Sequence, residues 1–438
     1  MHPPVRPAAP FLAVLCACLL AACGGSSHHR SHAHPKVHLQ VQTVEVYSSL
    51  PLVGPAAPEG RAIRLGIELA LSQASNRAGE FLVRYRSLND ARPGHGPWAV
   101  LLTAANARRA ATDPAAVAYI GEFDSSASRI SLPILNQAGI PQISPWSPYV
   151  GLTRAMGEDI TAAGDPGDYY PTSVHTFLRL APSDAVQAAA LLTAARDVAC
   201  SRLAVLRSGA AQDYSGELAA LLGLERARFP IRIVSSAPLP ERAAKALAVS
   251  PAFALHRYLI SLRTLGAGCV IYVGNPSAAA VSTIAAIRAE LPKAPVFASD
   301  RVCQAMFAAG PVRAQLAAAG AGLLDCTLPS LPAAGSLLSA FTSAWAIRYG
   351  NPPPPGPWGA YGYEAMKLTL RTIAGLGPRG DQRSRLLRAL FAATPQNTLL
   401  GSYSFDPSGD STVRAYGLWA VRASGPPRLV RVMQPPAG

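Results

Sequence analysis

Lysine is almost missing from this chain: only four of its 39 basic residues are lysine, and the rest are arginine. Acidic residues number 25, which leaves a net charge of +14 over 438 residues. The excess is scattered and nowhere gathers into a basic stripe interleaved with aromatics, so the electrostatic footprint of a nucleic-acid binder is absent. Charged residues make up only 15% of the chain while half is hydrophobic, a balance that calls for a buried core rather than disorder. At this length one core does not suffice, and two domains are expected.

Long apolar runs are scarce as well. The run at residues 11–20 is too short to hold in a bilayer as a spanning anchor. It follows Arg6 and ends in Leu20-Ala21-Ala22-Cys23-Gly24, which resembles a bacterial lipoprotein signal. In such signals residues 1–22 would leave, and the Cys23 thiol would be acylated and become the first residue. The expected location is therefore extracytoplasmic, with a lipid anchor at the bacterial cell membrane. Residues 23–40 form a Gly/Ser/His-rich tether. It carries His28, His29, His32, His34 and His38, five of nine histidines. With no acidic or further cysteine ligand to set a geometry, they read as a solvated spacer and not as a metal site.

Cysteine is sparse too, at seven residues. Cys16 and Cys18 go with the leader, and Cys23 takes the lipid. Cys200, Cys269, Cys303 and Cys326 remain, and outside the cytoplasm four cysteines imply disulfides with three connectivities open. Apolar runs at 203–206, 231–234, 270–273, 296–298 and 323–324 alternate with helical patterns, which predicts a parallel sheet. In the doubly wound order 2-1-3-4-5, strand one neighbours strand three and strand four neighbours strand five. Cys200 and Cys269 precede strands one and three; Cys303 follows strand four and Cys326 ends strand five. The predicted pairs are Cys200–Cys269 and Cys303–Cys326.

A similar series precedes this one. Strands are expected at 41–47, 81–85, 117–121 and 140–144, with helices at about 98–111 and 126–137. Ile63, Ile67, Ala70 and Leu71 share one face of a further helix. Residues 176–182 form a hinge candidate, and helices near 337–349 and 363–373 return the chain to the first series. The expected fold class is α/β, two doubly wound Rossmann-like lobes joined by a multi-strand hinge. Lobe one takes residues 41–178 and 332–410; lobe two takes 179–331 and 411–438. Two such lobes open and close over a cleft, and ligands of open α/β sheets sit beyond the carboxyl ends of the strands.

Catalytic motifs are also absent. There is no Gly-x-Ser-x-Gly elbow, no His-Glu-x-x-His, no phosphate-cradling loop ending in Lys-Ser/Thr and no dinucleotide fingerprint. Past the tether only His95, His175 and His256 remain, none of them in a hydrolase motif. No enzyme activity, cofactor or metal is expected.

What is present is a set of short motifs in a fixed order. They are Gly121-Glu-Phe-Asp-Ser125-Ser-Ala-Ser, Pro133, Gly139-Ile-Pro-Gln-Ile-Ser144-Pro, Leu152-Thr153, Arg179-Leu-Ala-Pro-Ser-Asp184 and Asp213-Tyr214-Ser-Gly216. Tyr361-Gly-Tyr363-Glu-Ala and Gly401-Ser-Tyr-Ser-Phe405-Asp406-Pro-Ser-Gly409-Asp410 follow. Together these resemble the leucine/isoleucine/valine-binding protein family of ABC importers, which are periplasmic binding proteins of type I. The resemblance spans about residues 41–438. It implies a monomeric solute-binding protein whose partners are a small polar metabolite, such as an amino acid, and an ABC permease. A ligand-sensing receptor of the same fold is the alternative.

The resemblance also implies site residues. Ser125, at a helix entrance, stands where the family receives a ligand carboxylate, and its hydroxyl is equally placed to cap that helix. Trp146 and Pro148 depart from the family's small and hydroxyl-bearing residues. Ser147 then takes the hydroxyl role, and Trp146 offers a stacking face. Tyr214 matches an aromatic that packs on the ligand, and Asn275 follows the third strand of lobe two. Asp300 stands where the family places an acid facing an ammonium group; a helix cap or a pair with Arg301 are its other readings. Glu59 and Trp358 belong to loops near the cleft mouth. Residues 159–170, with Asp165, Asp168, Tyr169 and Tyr170, form an insertion, read either as solvated or as a lid beside the cleft.

Overall fold

The computed structural model describes residues 42–436, apart from 95, 209–213, 240–249, 308–310, 321, 323 and 333–334. The leader, Cys23, the histidine tether, His95 and Asp213 lie outside the described residues. Among the described residues, no helix is long and apolar enough to cross a membrane.

The first sheet is built from β1 (Thr43–Leu50), β2 (Arg77–Ala78), β3 (Phe81–Asn89), β4 (Ala116–Ile120), β5 (Gln142–Ser144) and β6 (Phe177–Arg179), in the order β2-β3-β1-β4-β5-β6. All but β2 are paired in parallel. Parallel strands need crossovers, here α1 (Ala57–Gln73), α2 (Val100–Thr112) and α3 (Ser125–Gln137), and these cover the sheet. β1 and β4 are consequently buried along nearly their whole length.

The second sheet holds β7 (Arg202–Arg207), β8 (Arg232–Pro238), β9 (Cys269–Val273), β10 (Val296–Ala298), β11 (Leu324–Pro329), β12 (Tyr416–Ala420) and β13 (Arg428–Met433). Its order, β13-β12-β11-β10-β9-β7-β8, contains the expected parallel 2-1-3-4-5 arrangement. β12 and β13 add an antiparallel edge that the sequence reading did not foresee. The connecting helices are α4 (Asp184–Asp197), α5 (Tyr214–Glu225), α6 (Pro251–Thr264), α7 (Ala278–Glu290), α8 (Asp300–Phe307) and α9 (Pro311–Gly320). This order brings both cysteine pairs together: Cys200–Cys269 and Cys303–Cys326 are disulfide-bonded, with Cα–Cα distances of 5.9 and 5.2 Å.

After β11 the chain returns to the first sheet as α10 (Ser336–Tyr349), α11 (Trp358–Gly375) and α12 (Arg383–Phe391). α11 crosses α1 closely because glycines face each other's backbones. A Cβ on Gly66 would lie 2.0 Å from the Gly359 carbonyl oxygen, and one on Gly362 would lie 2.2 Å from that of Ile63.

Residues 176–182 are not simply a hinge. Phe177–Arg179 is β6, the last parallel strand of the first sheet, and only the residues after it cross to α4. Two more crossings follow β11 and precede β12. Arg179, fully buried at the first crossing, ties this region together. Its guanidinium pairs with Asp410 and donates to the carbonyls of Ser147 (2.9 Å) and Tyr149 (2.6 Å) and to Thr153 Oγ1 (2.9 Å). Arg154 also reaches Asp410. Burial alone would raise the Asp410 carboxyl, yet the two guanidinium groups hold it below its ordinary value.

Candidate functional site

One cavity of about 740 Å³ opens where the carboxyl ends of the two sheets face each other. The first sheet contributes the loop after β4, the first turns of α3 and the loop after β5, through Phe123, Ser125, Arg129, Trp146 and Tyr149. The second contributes Asp184, Tyr214, Glu217, Asn275, Asp300 and Arg301, from helix starts and loops beyond its strands. Residues 158–163, from the insertion, form a third wall.

Residues 67–255 match the sequence profile of the receptor family ligand binding region. Solved structures match over most of the chain. A substrate-binding protein of an ABC transporter from Desulfitobacterium hafniense, in complex with Leu, is 17% identical; the match covers 89% of this chain and 100% of that one, with a TM-score of 0.68. A solute-binding protein from R. palustris in complex with 4-hydroxybenzoate is 14% identical over 90% and 98% of the chains, at 0.66. A leucine binding protein from Thermotoga maritima is 20% identical over 90% and 99%, at 0.62. This is the type I periplasmic binding protein fold. No curated protein sequence matches the chain.

In this fold, Ser125, Trp146, Tyr214, Asn275 and Asp300 all border the cavity. The Tyr214 hydroxyl lies between Asp300 Oδ1 and Gln187 Oε1. Arg301 does not pair with Asp300; it donates to Asn275 Oδ1 at 3.0 Å and stacks 4.1 Å over the Tyr214 ring. Ser125 is not the helix cap. Asp124, one residue earlier, takes that position and accepts from the Ser126 N–H at 2.7 Å. The Ser125 hydroxyl accepts instead from the Tyr149 N–H at 3.1 Å.

Ser147, Glu59 and Trp358 do not border the cavity. Ser147 has φ +30°, which turns its hydroxyl inward to Ser128 Oγ (2.8 Å) and the Glu122 carbonyl (3.0 Å). Glu59 is buried in the first turn of α1, where burial pushes its carboxyl up to about 7. Trp358, in the first turn of α11, packs against Trp146 and Phe307, with ring centroids 6.1 and 5.7 Å away.

The insertion, together with the segment 149–158 that leads into it, is not a free solvated loop. Tyr149, Leu152, Tyr169 and Tyr170 pack into the first lobe with Leu132 and Phe177, and the Tyr149 hydroxyl donates to Asp165. Val150, Met156 and Ile160 pack instead on the core of the second lobe.

Several residues at the cavity escaped the sequence reading as site groups, Arg129, Glu217, Asp184 and Tyr149 among them. Arg129 lies one turn after Ser125 on α3, a spacing that puts both on one helix face, and its guanidinium sits 4.1 Å over the Tyr149 ring. Glu217 lies three residues after Tyr214 on α5 by the same rule. Asp184 closes the motif at the first crossing, and Tyr149 follows Pro148 directly. Burial, reinforced by the negative charge of Asp300, pushes the Asp184 carboxyl up to about 7. Burial and then Asp184 push Glu217 upward as well, against the opposing pull of Arg129.

Proposed function

We propose that the protein is an extracytoplasmic solute-binding protein, anchored through a lipid on Cys23, that captures a small polar metabolite between two lobes. It delivers this solute to an ABC permease and performs no chemistry on it. The observation that carries the reading is the cavity of about 740 Å³ bordered by polar side chains from both sheets, within the usual size range of small-molecule sites. Ser125 and Arg129 offer an anion a helix start and a guanidinium. Asp184, Tyr214 and Asp300, across the gap, suit an ammonium group. An amino acid or related zwitterion fits this polarity. The solved relatives that carry leucine or 4-hydroxybenzoate support the class of protein, and the low identities leave the ligand to be found by experiment.

A thermal-shift screen of amino acids, amides, small acids and aromatic metabolites tests the reading. A ligand at 100 times its dissociation constant stabilises the folded chain by about 2.7 kcal/mol. Ser125→Ala and Asp300→Ala are expected to remove most of the response to the best ligand. An unchanged response in both variants would refute the site. Mass spectrometry of the membrane-extracted protein, expected to show diacylglyceryl-modified Cys23 at the N-terminus, tests the anchor.

A further inference from the structure

We infer that Trp146 fills the space an apolar ligand side chain would need, and that the cleft selects an amino acid with a cationic side chain. The inference rests on the solute-binding reading and deepens it.

Trp146 borders the cavity yet is only 3% exposed, because its ring turns into an aromatic cluster. It stacks on Phe123 with centroids 6.0 Å apart and meets Tyr361 edge-on at 5.5 Å. The cluster continues through Trp358 and Phe307 to Trp419, crossing from the first lobe to the second. Of these rings only Phe123 and Trp146 touch the cavity. The aromatic cluster thus closes one end of the cleft.

Elsewhere the lining sets a group of acidic side chains beside neutral ones such as Ile160, Ala162 and Ala163. Asp184, Glu217 and Asp300 stand on the second lobe, and Glu158 and Asp159 lie on the exposed part of the insertion. Asp184 and Glu217 are 2% and 8% exposed, and Asp184 Oδ1 and Glu217 Oε1 have no hydrogen-bond partner. Arg301 is already engaged by Asn275 and the Tyr214 ring. Two buried, unpartnered carboxylate oxygens bordering a cavity call for donors. An ammonium supplies three N–H groups and a guanidinium five. A leucine bound here would pair Asp184 through its α-ammonium but leave Glu217 Oε1 covered and unpaired, and a benzoate, with no ammonium, would leave both oxygens unpaired. With the ligand carboxylate at Ser125 and Arg129 and its α-ammonium at Asp184 and Asp300, a second cation is left facing Glu217 and the insertion.

Isothermal titration of the mature chain with L-lysine, L-leucine and benzoate, on wild type, Trp146→Gly and Glu217→Gln, tests this. Wild type is expected to bind lysine about a hundredfold more tightly than leucine or benzoate, the upper scale of the cost of leaving one buried polar group unsatisfied. Trp146→Gly opens space on the order of the 150 Å³ that accommodates benzene and should raise leucine affinity about tenfold. Glu217→Gln should weaken lysine about tenfold and leave leucine unaffected. The Glu217→Gln comparison decides the matter if Trp146→Gly does not fold. Leucine or benzoate binding to wild type as tightly as lysine would overturn the inference and leave the solute-binding reading standing. Failure of every class of small metabolite to bind would remove both.

Discussion

Asp184 offers a direct test of the cleft's electrostatics in the absence of any ligand. Its carboxyl has an ordinary value of 3.8 and is pushed to about 7 in the folded protein, first by burial and then by Asp300. The folded state therefore holds this proton more tightly than the unfolded chain does. Stability falls as pH rises from about 4 to about 7, because the folded protein must then carry a buried, unpaired charge. A shift of about 3 units, at roughly 1.4 kcal/mol each, amounts to about 4 kcal/mol; water entering an open cleft reduces this, and about 2 kcal/mol is expected. Asp184→Asn removes the charge at every pH. Urea unfolding of both proteins, followed by circular dichroism at pH 5 and pH 8, reads the difference. The variant should gain on wild type as pH rises and stay level above pH 7. Asp90 and Glu59, each also raised to about 7, contribute slopes of the same sign that cancel in the comparison. Parallel pH profiles for the two proteins would mean that folding does not raise the Asp184 carboxyl, and the reading of a buried, unpaired acid in the cleft would fail.

Two further outcomes concern stability. Gly362→Ala places a methyl group against the Ile63 carbonyl where α11 crosses α1, and should cost about 3 kcal/mol in urea unfolding, at the upper end of overpacking effects; a change below 0.5 kcal/mol would refute the close crossing. Replacing Cys200 and Cys269 by alanine releases a loop of 69 residues and should cost about 4 kcal/mol, while the same change at Cys303 and Cys326 releases 23 residues and should cost about 3 kcal/mol. Peptide mapping without reduction checks both pairings.

Much of the frame was legible in the residues, for reasons particular to each element. Residues 296–298 are a short run bounded by Pro295 and the polar Ser299, and they form β10 as read. The cysteine pairs followed from strand order, since neighbours in a doubly wound sheet are set by topology and not by distance along the chain. The antiparallel edge was hidden because β12 carries Gly417 and the exposed β13 places Arg428 and Arg431 three residues apart, off the strand period of two. β6, Phe177–Arg179, was read as part of the hinge. At the site, Asp124 and Ser125 are both capping residue types, and only the backbone settles that the aspartate comes first. The inward turn of Ser147 and the rotation of Trp146 into the aromatic cluster depend on tertiary neighbours far along the chain, Trp358 and Tyr361 among them, which no local pattern reports.

On the solute-binding reading, the doubly anchored segment 149–170 bears on how long a captured molecule would stay. Its tyrosines are rooted beside Leu132 and Phe177, and its Val150, Met156 and Ile160 grip the opposite half. The jaws cannot swing apart as free rigid bodies, because widening the mouth must peel these three side chains off an oily surface. Escape would then be set by the speed of that peeling, a clock separate from the strength of the contacts holding a solute.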